Sequence, residues 1–406
     1  MSDTLENRGI WFRFGRKAVD IPTLCFALVL SLGPVMTLVP NEYLYLLLFY
    51  IRLLVYGLVL VNIVITRQRN VLFFGAILIT VWIMATIWLY PMNKPALLEI
   101  APDMFMQIFY FTLGNSCVND KSIIKTCTVF AYFEFVFLTL FVFSTTGRLF
   151  MENSRDGYAT ISNGFFWIAL FFTFASKKIK AYRISAIAAF LMMLIYGRRS
   201  HVLYYAVTLC IYAFRKMVRD EKVTAQKIII RIFILCVVVT VALFYRQILI
   251  LISTFITSFG FNSRTVSMML GGEFGNLNGR DALYELAWQM TLERPLLGNG
   301  IGSTMVRWVM LHLNTPNYSG CNTHNSILEI GAEFGFPGMI IFIFLAVKMI
   351  KTSISFEMTH EEETILFTLM GTGLVSVLIG ASYLTSFHFA LYCGYYFYLK
   401  LKIKYK

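Results

Sequence analysis

Apolar residues run along this chain in long blocks. Stretches of membrane-crossing length lie near 21–40, 43–65, 71–90, 101–118, 123–143, 161–176, 182–197, 200–214, 228–249, 336–350, 364–383 and 386–400. About 20 apolar residues cross a bilayer as a helix. The 101–118 block is the least apolar, because it carries Asp103, Gln107 and Asn115. Only residues 250–335 form a sizeable segment outside this series. The pattern predicts an all-α polytopic membrane protein of about twelve transmembrane helices. It divides into an N-terminal bundle over 1–249 with about nine spans, a large extracytoplasmic helical loop over 250–335 between the ninth and tenth spans, and a C-terminal bundle over 336–406 with about three.

Composition excludes a soluble or disordered chain. Of the 406 residues, 58% are hydrophobic and only 14% charged, against about 25% charged in an ordinary soluble domain. Mean hydropathy is +0.69. Seven cysteines are too few for a disulfide scaffold. Cys321 stands alone in the loop, so no structural disulfide is expected there. No cleavable leader is expected before the first span, and no internal repeat is visible.

The net charge of +13 reads as an orientation signal, because Lys and Arg favour the cytoplasmic ends of spans. With both termini cytoplasmic, most basic residues fall inside, from Arg8, Arg13 and Arg16 to Lys402, Lys404 and Lys406. No nucleic-acid partner is implied. Apart from Lys94, the outer basic residues are all arginine: 148, 155, 198, 199, 246, 264, 280, 294 and 307. Guanidinium grips phosphate oxygens as a planar fork, where Lys is a point charge. An outer face that keeps arginine against the topological bias suggests an anionic ligand; ordinary ion pairing is the plainer alternative.

The loop holds most of the chemistry. Leu283, Ala287 and Met290 recur at helical spacing between Asp281 and Glu293, with Leu286 and Trp288 beside them. Arg294-Pro295 ends the pattern and Gly298-Asn299-Gly300 is a turn. Arg280 stands at this helix's N-terminus, the wrong end of the dipole for a cation. It belongs there if an anion is shared with the free N–H groups; otherwise it is an exposed arginine at small cost. In the second stretch, Ser326 and Glu329 have capping-box spacing, so a helix should begin after Ser326. Gly335 can close it, Pro337 stops continuation, and Gly338 opens the next span. His324 then sits in the turn before a short helix, a place for a general base, though a loop histidine is more often plain polar surface. His201 and His388 lie near span ends, no motif in the sequence marks a role for His312, and His360 falls in an acidic run, Glu361–Glu363, read as a solvated cluster. Arg52 and Glu134 are charges inside spans, which flags function by default; a structural pair between them is the simpler reading. No phosphate-binding P-loop, H-E-x-x-H, C-x-x-C, G-x-S-x-G or D-x-D occurs, and no metal site or cofactor is expected.

These motifs resemble those of bacterial O-antigen ligases and the related O-antigen and capsule polymerases. His324-Asn325, nine residues, Gly335, two residues and Gly338 is similar to the family's H-[NSQ]-x9-G-x-x-[GTV] signature. Gly279-Arg280 to Trp288, then Arg294-Pro295-Leu296-Leu297-Gly298-Asn299-Gly300, resembles its GR…W…P-x-x-G-x-G segment. Gly197-Arg198-Arg199-Ser200 resembles its Ser-Arg motif, with RR in place of SR, so Arg198 and Arg199 cannot be told apart. The ligases' R-x3-L element is not met after Arg280, where Leu283 is third and Tyr284 fourth. That departure, and the polymerase-like Ser263-Arg264-Thr265, favour polymerase over ligase.

The resemblance implies a glycosyltransferase of the bacterial inner membrane that uses undecaprenyl-diphosphate-linked glycan. It implies His324 as base, Arg280 as catalytic cation, and Arg198, Arg199, Arg280 and Arg264 on the diphosphate. Asn325, Gly335 and Gly338 would be structural. Inversion without metal follows, with the site extracytoplasmic. Expected partners are the lipid-linked donor, a glycan acceptor, membrane lipid and a chain-length regulator. The first expectation is a repeat-unit polymerase for O-antigen or capsule. The others are a ligase acting on lipopolysaccharide core, a lipid-linked oligosaccharide flippase and a non-catalytic assembly subunit.

Overall fold

A computed structural model describes residues 11–14, 17–38, 42–65, 69–116, 120–144, 155–176, 179–219, 245–258, 270, 280–312, 318, 321 and 323–404. A short antiparallel hairpin, β1 (Trp11–Phe14) and β2 (Lys17–Asp20), precedes the helices. The helices are α1 (Ile21–Leu38), α2 (Glu42–Ile65), α3 (Arg69–Leu89), α4 (Lys94–Asn115), α5 (Asp120–Phe143), α6 (Arg155–Ala175) and α7 (Ala181–Tyr196). They continue as α8 (Arg199–Arg219), α9 (Tyr245–Ser258), α10 (Arg280–Glu293), α11 (Ser303–Leu311), α12 (Ser326–Ser355), α13 (His360–Leu369) and α14 (Phe387–Lys404). A π-helical turn (Met370–Val375) and Ser376–Ile379 prolong α13.

Six helical stretches among the described residues are long and apolar enough to cross a membrane: Glu42–Val61, Asn70–Leu89, Pro91–Asn115, Ser122–Phe143, Ser326–Ser355 and His360–Ile379. Helices overlie the other expected spans too, except the ninth, most of which lies outside the described residues. The block expected at 101–118 belongs to a helix that starts earlier, at Lys94, and runs through Pro102.

The core forms around α6. Phe165, Phe166, Trp167, Ile168, Leu170, Phe171, Phe172 and Phe174 are all buried, so this stretch of the helix is enclosed on every side. By contrast, α2 and α3 expose Leu54, Phe74, Leu78, Trp88 and other large apolar side chains, as lipid-facing helices do. Helices α4 and α14 meet at Gly114 and Gly394. A methyl group on either would strike the other helix's backbone, at Leu391 O and Phe111 O respectively. Small residues at such a crossing let two backbones approach closely.

Three sequence expectations are corrected. Arg52 and Glu134 do not pair. The Arg52 Nε donates to Tyr56 Oη at 2.7 Å and its Nη2 to Tyr110 Oη at 3.3 Å, while Glu134 accepts from Trp167 Nε1 at 2.8 Å. Each charge is served by aromatic polar atoms from its own neighbours. The acidic run after His360 is not a solvated cluster either. Thr359 and Glu362 form a capping box, Lys402 Nζ meets Glu362 at 2.6 Å, and Glu363 is buried on Arg215 at 3.0 Å. Arg215 also donates to the carbonyls of Ser353, Ile354 and Phe356, so one guanidinium closes the C-terminus of α12. The third correction concerns how α12 begins and is taken up with the site.

Candidate functional site

The family-like Gly197-Arg198-Arg199 stretch forms the corner between α7 and α8. Gly197 is extended at φ −95°, ψ 175°. Ser162 on α6 holds the corner. Its Oγ accepts from the Arg198 N–H at 2.7 Å and is hydrogen-bonded to His201 Nδ1, whose ring stacks on Phe166. Arg198 is thus fixed by its backbone to α6, a helix buried over most of its length. One turn along α8, Tyr204 hydrogen-bonds Ser200 and lies within electrostatic reach of Arg198, Arg280 and Tyr284.

Arg280 opens α10 at the predicted place. The predicted apolar face is present, with Leu283, Leu286, Ala287 and Met290 buried. Trp288 lies edge-on to Phe336.

His324 occupies the left-handed region at φ 51°, alone among described non-glycine residues. Such a backbone is unfavourable for most side chains; here the surrounding bonds impose it. Thr323 Oγ1 donates to Asn325 O at 3.0 Å. Asn325 Oδ1 accepts from the N–H groups of Ile327 and Leu328 at 3.0 and 3.2 Å. Asn325 is therefore the N-cap of α12, and the expected Ser326–Glu329 capping box is absent. Ser326 instead donates to Ala381 O at 2.9 Å, and Glu329 is turned inward to accept from Ser382 Oγ at 2.9 Å. Both side chains tie the helix to the 381–384 strap, leaving the cap to asparagine.

The three family-like segments meet around His324. Burial first, then the positive charges of Arg280 and Arg198, push its imidazole down from 6.5 to about 4. The ring is therefore neutral near pH 7 and half-buried, within electrostatic reach of two guanidinium groups drawn from distant parts of the chain. Such a group of residues can hold an anion between its cations and accept a proton beside it. Of the two adjacent arginines, Arg198 is the one that acts on His324; Arg199 is in the first turn of α8. Arg264 lies outside the described residues.

The glycines of the two loop motifs turn out to be one joint. Helix α12 breaks at Gly335 (φ 69°, ψ −169°), which strips Ala332 and Glu333 of their helical partners. The Arg294–Gly302 segment supplies replacements. Asn299 N donates to Ala332 O and Gly300 N to Glu333 O, both at 2.9 Å. Phe336 N donates back to Pro295 O at 2.8 Å, and the Asn299 side chain bridges Met290 O and Ala332 O. Gly302 N reaches the Glu333 carboxylate at 2.7 Å, whose other oxygen accepts from Tyr383. Gly298 and Gly300 both have positive φ. A methyl group on Gly298 would strike Glu333 O, and Pro337, which lacks an N–H, sits in the first turn after the break. Asn93 and Tyr90 hold the far side through Asn299 O and Gly298 O.

Sequence reasoning missed Ser162, Tyr204 and the Glu329–Glu333–Tyr383 group. The two glutamates are buried, one helical turn apart, in a largely apolar helix. The rule that flags charge inside spans applies to them as it did to Arg52 and Glu134. Among the described residues, no three His, Cys, Asp or Glu side chains are grouped to hold a metal ion.

No curated protein matches the chain. Residues 184–343 match the family model described as O-antigen ligase, a stretch that encloses Arg198, Arg280, His324 and Gly338.

Proposed function

We propose that the protein is a polysaccharide repeat-unit polymerase for O-antigen or capsule. It would be an inverting glycosyltransferase that moves glycan from undecaprenyl diphosphate to a sugar hydroxyl of another lipid-linked glycan. The observation that carries this reading is the neutral His324 held against Arg280 and Arg198, inside a stretch matched to a family of lipid-linked glycan transferases. His324 accepts the proton of the attacking hydroxyl. The hydroxyl oxygen bonds to the anomeric carbon as the bond to the diphosphate oxygen breaks, and Arg280 and Arg198 take up the diphosphate charge. Two guanidinium groups supply the charge that a divalent ion would otherwise supply. Arg199 and Arg264 are further candidates for diphosphate contact. The reaction is placed at the extracytoplasmic face of the bacterial inner membrane, with about twelve spans, both termini cytoplasmic, the loop over 250–335 above the bundle, and a chain-length regulator as partner.

A ligase that transfers glycan to lipopolysaccharide core is the second reading, favoured by the description of the matched family. Polymer laddering separates the two. A strain lacking its own copy is complemented with wild type, His324→Ala or Arg280→Ala at equal membrane levels. A ladder with wild type, and single repeats with both variants, supports a polymerase with this site. Long polymer retained on the lipid carrier without the gene makes it a ligase. Single repeats that never reach the outer surface make it a flippase. Unchanged ladders with both variants refute the site.

A further inference from the structure

We infer that the Pro295-Leu296-Leu297 turn between α10 and α11 is seated in the hydrocarbon edge of the membrane leaflet on the His324 side. It thereby fixes the depth of the α12 break. Leu296 and Leu297 are 73% and 78% exposed, although the turn is tightly bound by its backbone on both sides. Two leucines held this rigidly toward the surroundings are not loose loop residues. Something apolar covers them.

The surroundings identify it. The turn lies against the α12 break, where a methyl group added to Gly335 would meet Pro295 C at 2.8 Å and Leu296 C at 3.0 Å. The residue before the break, Phe334, packs its ring on Trp82 of α3 at 5.5 Å. The residue after α3, Tyr90, donates to Gly298 O at 3.2 Å and has Arg294 over its ring. The turn is therefore bracketed by the stretch of α3 from Trp82 to Tyr90, about 12 Å along the axis, within or just beyond a helix apolar enough to cross a membrane. That stretch is itself exposed, with Trp88 at 82%.

Helix α12 gives the same depth. Its 30 residues span about 45 Å, against roughly 30 Å of hydrocarbon. About a third of it must lie outside the hydrocarbon or be taken up by tilt. Beyond Gly335 its exposed face is apolar, with Ile340, Ile341 and Phe344, so the break marks entry into lipid and the turn lies at that level. Trp88 and Tyr90, at the end of α3, are aromatic residues of the type found at membrane interfaces. Arg294 can reach the headgroups while its stem stays on Tyr90. The apolar surface of the turn thus continues that of α3 and α12, so its occupant is acyl chain.

The test uses the full chain in vesicles of phosphatidylethanolamine and phosphatidylglycerol. A nitroxide is placed at Leu297→Cys in a background where the native cysteines are replaced by serine or alanine, with Asp281→Cys as the reference on exposed α10. Collision with dissolved oxygen, and with a water-soluble nickel chelate, is read by power saturation. A lipid seat gives high oxygen and low nickel accessibility at 297, the reverse of 281. Nickel accessibility at 297 equal to that at 281 places the turn in water and overturns the inference. Protection from both reagents means a protein partner or a second copy covers it, which also overturns it. Leu296→Cys, read alongside, keeps the question answerable if the 297 variant fails to fold, and the same outcomes apply.

Discussion

Replacing Gly335 by alanine tests whether the two motifs form one joint. At φ 69° and ψ −169° the backbone is in a region that is essentially glycine-only, costing an L-residue about 1–3 kcal/mol. The new methyl group would also run into Pro295 O and lie about 3 Å from the Leu296 carbonyl carbon. These are backbone atoms, so the turn must move. Moving it sacrifices the Phe336 N to Pro295 O bond, about 1 kcal/mol net. The expected loss is about 2–4 kcal/mol, read as earlier thermal unfolding of detergent-purified protein. Pro337→Ala is the control. It is two residues away, exposed, clashes with nothing, and should lose under about 1 kcal/mol through chain entropy. If Gly335→Ala unfolds no earlier than Pro337→Ala, the joint does not hold the loop as argued.

Asn325→Ala should lose about 1 kcal/mol, because two N–H groups at the start of α12 lose their acceptor; Ser326→Ala, which is not the cap, should leave the helix start protected in amide exchange. Arg215→Met leaves the Glu363 carboxylate buried with its partner gone and should cost about 3–5 kcal/mol, and adding Glu363→Gln should recover part of it in the same unfolding assay. His324 also makes a pH prediction. Its folded pKa, about 4, is below the unfolded 6.5, so the unfolded chain binds the proton first. The neutral ring's stability is present above about 6.5 and is lost as pH falls toward 4, by about 3 kcal/mol in all. Unfolding midpoints of wild type and His324→Gln, compared from pH 7 down to 4, should converge or cross; parallel curves would show that His324 is not held neutral.

What could be read in the sequence was what depends on local pattern. Helix α10 was legible from Leu283, Ala287 and Met290, because burial at helical spacing needs no knowledge of the partner. The break at Gly335 was legible because glycine and proline act through their own backbone. The α12 cap was misread because Ser326 and Glu329 satisfy a local rule, yet their real partners, Ala381 O and Ser382, lie more than fifty residues away. The Arg52–Glu134 pairing failed for the same reason. Matching opposite charges in two spans says nothing about whether their helices face each other, and tyrosines and a tryptophan met the need instead. At the site, the residue types could be named from sequence. Only the fold shows that Arg198 lies within electrostatic reach of His324, at a corner held by the Ser162 bond to its backbone.

The electrostatics of the site favour an anion more than they favour the empty state. Arg198 and Arg280 both act on His324 with the same sign, and like charges beside a group suppress its charged form. The fold sustains this through ties that involve none of the three side chains: Ser162 to the Arg198 backbone, Asn325 to α12, and the glycine turn to the break at Gly335. A dianionic group between the guanidinium groups would cancel the part of the depression that their charges add to that of burial. His324 would then become a stronger base when the proposed diphosphate is bound, and weaker again once it leaves. The acid limb of kcat/KM reports the free enzyme, and that of kcat the complex. On this argument the acid limb should shift to higher pH from kcat/KM to kcat. Arg280→Gln should narrow the gap by raising the free-enzyme value. If both limbs coincide in wild type, the arginines do not set the basicity of His324 and the proposed division of labour fails.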